Sequence, residues 1–179
     1  MTDPGRYRVV LAKEDFKFAC AHFTVFAAGA AELLHGHNYR VAVELAGDGL
    51  DDHGLLLDVA RFKVEIRRLC AELDSRTLVP EASPLVTVER RGDEIEVRFG
   101  PRRYLLPAAD VLLLPLANSS MELLARMLWE RLVPALDGSR LDTLAVSVEE
   151  SAGQRCVYER GLPAGVSPER RGKGLGRPG

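Results

Sequence analysis

Residues 39–45 alternate without a break: Tyr39, Val41, Val43 and Leu45 are apolar or aromatic, while Arg40, Ala42 and Glu44 between them are charged or small. A period of two places one set on each face of an extended strand, and no helix accommodates it. This segment therefore predicts a half-buried strand. The helical period appears elsewhere. Asp58 stands as an N-cap before Val59, Phe62, Ile66, Leu69 and Leu73, spaced by three and four, which predicts an amphipathic helix of about four turns. A second helix is expected after Asn118. There Ser119 and Glu122 form a capping-box pattern, and Leu123, Leu124, Met127, Leu128 and Leu132 supply the apolar stripe.

The remaining segments read mostly as strands. "YRVVLAKEDFKFACAHF" gives two extended pieces, and the turn-rich 47–54 stretch predicts a hairpin from the alternating strand into "LLLDV". Residues 86–90 and 94–99 flank an "RGD" turn and predict an inserted hairpin within about 79–115. "LDTLAVSVEES" and "QRCVYER" are two late strands. Strands and helices segregate along the chain, which predicts an α+β fold with an antiparallel sheet. Residues 1–162 are expected to form one domain. The tail from 163 is rich in Gly and Pro and carries four basic residues, which predicts a solvated, disordered segment.

Composition narrows the function. The 179 residues are 46% hydrophobic, enough for a core, and the net charge of −2 gives no global pull toward nucleic acid or an anionic membrane. No apolar run approaches the roughly 20 residues that span a bilayer. The start, "MTDPGRYRVV", lacks a secretory apolar region, and Cys20, Cys70 and Cys156 are sparse and widely spaced. Together these features predict a cytoplasmic protein without a disulfide framework.

Only four histidines are present, and two of them lie in "LHGHNYR". Residues two apart on a strand share a face, so His35 and His37 aim the same way. His22, in another strand-like segment, is available as a third. Three neutral imidazoles would leave tetrahedral Zn²⁺ one open position, the pattern of a catalytic rather than a structural site. Taken alone, His-Gly-His also reads as two satisfied polar residues beside a turn.

"FACAHF" followed by "LHGHNYRVAVEL" resembles the two signature segments of the 6-pyruvoyl-tetrahydropterin synthase / 6-carboxytetrahydropterin synthase family. The resemblance continues through "GLLLDVARFK", Leu73-Asp74, "NSSMELLARMLWERL" and "VSVEESAGQRCVY". It implies the tunnelling fold, a four-stranded antiparallel sheet with two helices on one face. It further implies homo-oligomeric barrels, commonly hexamers, with Zn²⁺ on His22, His35 and His37. Glu150 would anchor the pterin ring, since a carboxylate accepts two parallel hydrogen bonds from a 2-amino-pyrimidinone edge. Glu149 would face the other way. Ser120 matches a threonine position that either contacts the pterin or caps the helix.

The pattern also breaks. The family's catalytic cysteine position holds Ala31, and its Asp-His pair reads Asp74-Ser75. Alanine cannot take a proton, and serine is a poor base at neutral pH. His53 lies in a turn, where solvation is the ordinary state, and Cys20 reads as a buried thiol. Glu32 completes a Glu-x-x-His-Gly-His pattern. It resembles a branch of the family in which glutamate replaces the cysteine and 7,8-dihydroneopterin triphosphate loses its side chain to give 6-hydroxymethyl-7,8-dihydropterin, a step toward folate-type cofactors. Burial would raise the Glu32 carboxyl, and a metal would oppose that. Asp74 would serve as an auxiliary acid. Arg90, Arg91, Arg98, Arg102 and Arg103 of the insertion would either face a triphosphate or line an exposed hairpin. Two other readings stay open: synthesis of 6-pyruvoyl- or 6-carboxy-tetrahydropterin, and a zinc-containing pterin-binding protein without the usual catalysis.

Overall fold

The computed structural model describes residues 5–136 and 140–162; the expected basic tail lies outside them. The alternating segment forms β5 (His35–Gly47), the longest strand. Along one edge of β5 run β1 (Tyr7–Leu11) and β2 (Lys17–His22) in succession, and along the other runs β11 (Thr143–Ser151), all antiparallel. A small hairpin, β3 (Val25–Ala27) with β4 (Ala30–Ala31), joins β2 to β5. The outermost strand beyond β11 is β12 (Gln154–Gly161).

On the other side, β6 (Arg76–Pro80) runs parallel to β2, and β10 (Val111–Leu114) runs parallel to β6. The sheet is therefore seven-stranded and mixed, not four-stranded and antiparallel as expected. The cause is connectivity. Parallel neighbours need a crossover of a dozen or more residues. α1 (Val59–Leu73) supplies one on the way from β5 to β6, and the insertion supplies the next between β6 and β10. That insertion is larger than a hairpin: β7 (Thr87–Arg91), β8 (Glu94–Phe99) and β9 (Arg102–Pro107) form their own antiparallel sheet. The "RGD" turn is where expected, with Gly92 at φ 61, a conformation that favours glycine. Residues 55–58, expected to form a strand, instead lead directly into α1.

α1 and α2 (Met121–Leu132) cover one face of the main sheet. Asp58 caps α1 as expected, its side chain accepting from the Ala60 N–H at 2.9 Å. The capping box of α2 does not form. Ser120 is the backbone N-cap without a side-chain cap bond, and the Ser119 hydroxyl turns away to the Phe23 carbonyl at 2.8 Å. The main core holds Phe62, Ile66 and Leu69 of α1 and Leu124, Leu128 and Trp129 of α2 against Phe18, Tyr39, Val41, Leu45 and Val146 of the sheet. The inserted sheet builds a second core from Ile95, Val97 and Phe99 against Phe23, Val79 and Val111. No helix among the described residues is long and apolar enough to cross a membrane.

Burial separates two neighbours on α1. Ile66 is 1% exposed, whereas Val64 is 60% exposed. Ile66→Ala should lower the free energy of unfolding by about 2–5 kcal/mol, through lost transfer energy and a residual cavity. Val64→Ala should change it by only about 0.5 kcal/mol. Urea unfolding of the two variants checks this, and equal losses would show that the packed face of α1 is misassigned.

Candidate metal centre

The antiparallel register sets His22 opposite His35, Cys20 opposite His37 and Phe18 opposite Tyr39. Opposed residues share a face, so two strands alone bring three imidazoles to one end of the sheet. One ligand atom from each ring lies within 4.8 Å of the other two. Beneath them Tyr39 stacks on Phe18, ring centres 5.0 Å apart. Gly36, between the two histidines, pairs with Ala21 across the strands.

Two of the rings have their tautomers fixed. His22 Nδ1 lies 3.1 Å from the Ser119 carbonyl oxygen, and His35 Nδ1 lies 2.8 Å from that of Leu33. A carbonyl only accepts, so both Nδ1 atoms carry the hydrogen and both Nε2 lone pairs turn inward. His35 Nε2 then meets His37 Nε2 at 2.7 Å. Backbone carbonyls orienting the rings, with lone pairs converging, is the donor set a metal ion requires. Burial, followed by the neighbouring His35, pushes His22 below its ordinary value and favours the neutral, ligating form.

Glu150 comes to the same cluster. Its Oε1 accepts from the Tyr39 hydroxyl at 2.7 Å and lies 3.4 Å from Nε2 of both His22 and His37. Its Oε2 accepts from Gln154 at 3.0 Å. Glu149 points to the other face, where it accepts from the Gly153 N–H at 3.2 Å. Tyr39 and Gln154 were not singled out as site residues in the sequence. Only the period-two rule, run back from Val41 to His37, carried a signal for Tyr39. Its hydroxyl, 2.9 Å from His22 Nε2, has one proton for two acceptors, and burial first and then Glu150 push its pKa upward.

Glu32 follows β4. Its carboxylate accepts from the Thr24 N–H at 2.9 Å, and its own N–H donates to the Thr24 carbonyl at 2.9 Å. Burial alone would raise this carboxyl, but hydrogen bonding from Thr24 outweighs it, aided by the charges of His35 and His22, and the net shift is downward. Glu32 thus stands as an ionised acceptor. Asn118 locks the β3–β4 hairpin from the far side: its Oδ1 accepts from the Val25 N–H at 3.0 Å and its Nδ2 donates to the Val25 carbonyl at 2.8 Å.

Other candidates lie apart. Asp74 accepts from the Ala19 N–H at 2.7 Å and from the Ser75 hydroxyl at 3.1 Å, outside the imidazole cluster. His53 is exposed in its turn, its N–H donating to Asp51. Cys20 is buried, and burial, then Glu150 and Asp74, push its thiol up to about 12, which keeps it protonated. Ser120 is half-buried at the start of α2. Of the five inserted arginines, Arg91, Arg98 and Arg103 close over Glu96, whose carboxyl the Arg103 bond and then Arg98, against burial, hold down to about 2. Arg90 turns back to the Gly92 carbonyl, and Arg102 reaches the site.

The profile of the 6-pyruvoyl tetrahydropterin synthase family matches residues 11–161. The chain is 29% identical to a Methanocaldococcus jannaschii protein provisionally named 6-carboxy-5,6,7,8-tetrahydropterin synthase, over 82% of this chain and 91% of that one. It resembles the crystal structure of 6-pyruvoyl tetrahydropterin synthase from Plasmodium vivax, with a TM-score of 0.84 and 26% identity, over 88% of this chain and 99% of that one. A variant of a Plasmodium vivax 6-pyruvoyltetrahydropterin synthase with a catalytic glutamate replaced by alanine matches with a TM-score of 0.80 and 27% identity, over the same shares.

The depressed His22 value has a consequence for the metal-free protein. Its folded state binds fewer protons than the unfolded state, so stability is full above the ordinary imidazole value of 6.5 and declines as the pH falls below it. Thermal unfolding of the metal-free protein should show this decline, and His22→Gln should flatten it. An equal slope in the variant would remove His22 as the cause.

Proposed function

The chain belongs to the 6-pyruvoyl tetrahydropterin synthase family, and on that premise we propose that this pterin-converting lyase is zinc-dependent and cleaves the side chain of 7,8-dihydroneopterin triphosphate, leaving 6-hydroxymethyl-7,8-dihydropterin. The observation that carries this reading is Glu32. It is an ionised carboxylate on a fixed backbone, within electrostatic reach of two of the three imidazoles. Ala31 fills the place of the usual cysteine, and the buried Cys20 thiol stays protonated.

His22, His35 and His37 would hold the zinc, supported by their converging ring nitrogens. When bound, the ion supplies a Lewis acid beside the side-chain hydroxyls. Glu32 takes the proton of the 2′-hydroxyl as the C1′–C2′ bond breaks. The electron pair passes into the dihydropterin C6–N5 system, C1′ is then protonated, and an aldehyde carrying the triphosphate leaves. Glu150 holds the pterin edge, with Tyr39 and Gln154 fixing its two oxygens and leaving each a second lone pair. Ser120, with no cap bond, is free to meet the same ring. Asp74 is an auxiliary acid only if a second subunit completes the site, since within one chain it serves Ala19. A homo-oligomer, a hexamer by family resemblance, suits a sheet that ends in β10 and β12 with Val157 54% exposed. Three free cysteines suit the cytoplasm.

The 29% identity to a protein provisionally named as a 6-carboxytetrahydropterin synthase favours that chemistry as a second reading. Incubation with dihydroneopterin triphosphate decides between them. 6-Hydroxymethyl-7,8-dihydropterin is the expected product, and a carboxy- or pyruvoyl-pterin would overturn the proposal. Tight pterin binding without turnover would mark a binding protein. Glu32→Ala should cut kcat by about 10²–10⁴-fold with a full metal complement; an active variant would clear Glu32 of the role. His37→Ala should lose the metal, as read by elemental analysis.

A further inference from the structure

The inserted sheet packs on Phe23, Ala31 and Leu34 beside the site, and Arg102 hydrogen-bonds the backbone that carries Glu32. β9 follows β8 after a turn at Gly100 and Pro101, and Arg102 pairs with Phe99 across it. The Arg102 guanidinium carbon lies 5.9 Å from the centre of the Phe99 ring. That ring is buried in the second core with Phe23, the residue that follows His22. The Arg102 side chain is thus supported against a rigid wall.

Its head group addresses backbone. Nη1 donates to the Glu32 carbonyl oxygen, and Nη2 donates to that of Ala31 at 3.1 Å. The next carbonyl, Leu33, accepts from His35 Nδ1. Three successive peptide carbonyls are therefore held by side chains, two by the insertion and one by a metal-site imidazole. Apolar packing does less here: Ala31 and Leu34 lean on the second core, but Leu33 is 72% exposed. Arg102 adds to the other holds on this segment: the β3–β4 pairing at Ala31, the paired bonds between Glu32 and Thr24, and the bond to His35.

We infer that Arg102 is a positioning residue for Glu32, and that the inserted sheet acts on the reaction as the rigid mount from which Arg102 fixes the 31–33 backbone. The inference rests on the proposed catalytic role of Glu32. The guanidinium fork suits the task because it meets two carbonyls at once, whereas an ammonium is a point donor. Arg91, Arg98 and Arg103, closed over Glu96, are the insertion's structural cluster and serve as the comparison.

The test compares Arg102→Met and Arg102→Lys with the parent. Displacing a reacting group by about 1 Å can cost about 10²-fold in rate, so Arg102→Met should lose about that in kcat, with KM and metal content retained. Arg102→Lys should fall between it and the parent. Arg98→Met, which loosens only the Glu96 cluster, should keep the parental kcat. Hydrogen exchange reads the same effect without turnover: protection of the Thr24 and Glu32 amides should be lost in Arg102→Met while β5 and β11 stay protected. Unchanged exchange at those amides, or a parental kcat in Arg102→Met, overturns the inference. If Arg102→Met does not fold, Arg102→Lys decides on the same two readings. Failure of the Glu32 reading is seen separately, as an active Glu32→Ala protein.

Discussion

The pairing of β2 with β5 governs the molecule. Every consequential side chain in this half of the sheet takes its place from one register, His22 on His35, Cys20 on His37 and Phe18 on Tyr39. A slip of one residue would turn the whole set to the opposite face. The apolar pairs below the imidazoles make that slip costly: Phe18 and Tyr39 are stacked and fully buried, and Val41, Val43 and Leu45 continue the buried row. Core packing and ligand geometry are thus set by a single decision.

The loop before α2 adds a second fixed point. The Ser119 carbonyl sets the tautomer of His22, its hydroxyl holds the Phe23 carbonyl, and Asn118 grips Val25 from both sides of the peptide. Capping of the helix is given up in favour of these bonds, and the start of α2 becomes part of the site wall. The two cores meet here as well, since His22 lies in the imidazole cluster and Phe23, the next residue, is a member of the second core.

Local periodicity made much of this legible. The alternation at residues 39–45, the stripe behind Asp58, the paired late strands and the His35–His37 pair all lie where their spacing puts them, while His22 joins the pair as the family resemblance implies. The misses share a physical origin. β6 and β10 are short apolar runs, one ending in Pro80, and their parallel partners are decided by crossovers far away in the chain. Ser119 and Glu122 fit the helix-start pattern, yet a buried hydroxyl found a better acceptor in Phe23. Tyr39 looked like an ordinary inward strand residue, and only tertiary structure shows its hydroxyl between His22 and Glu150. Glu32 was visible as a residue, but the bond from Thr24 that fixes its carboxylate follows no sequence pattern.

The crossover from β6 to β10 has a bearing on how such a chain can change. A connection need only leave one strand and return beside it, and each doubling of a flexible loop costs only about 0.6 kcal/mol in closure entropy. Residues 81–110 occupy that gap with a layer that has its own hydrogen bonds and a core shared with Phe23, Val79 and Val111. The β2–β5 register does not run through this span, whose link to the main sheet is the apolar contact with Phe23, Val79 and Val111. The crossover is thus a place where a change in sequence alters the support of the 31–33 backbone through Arg102, while β2 and β5 keep the three imidazoles in place.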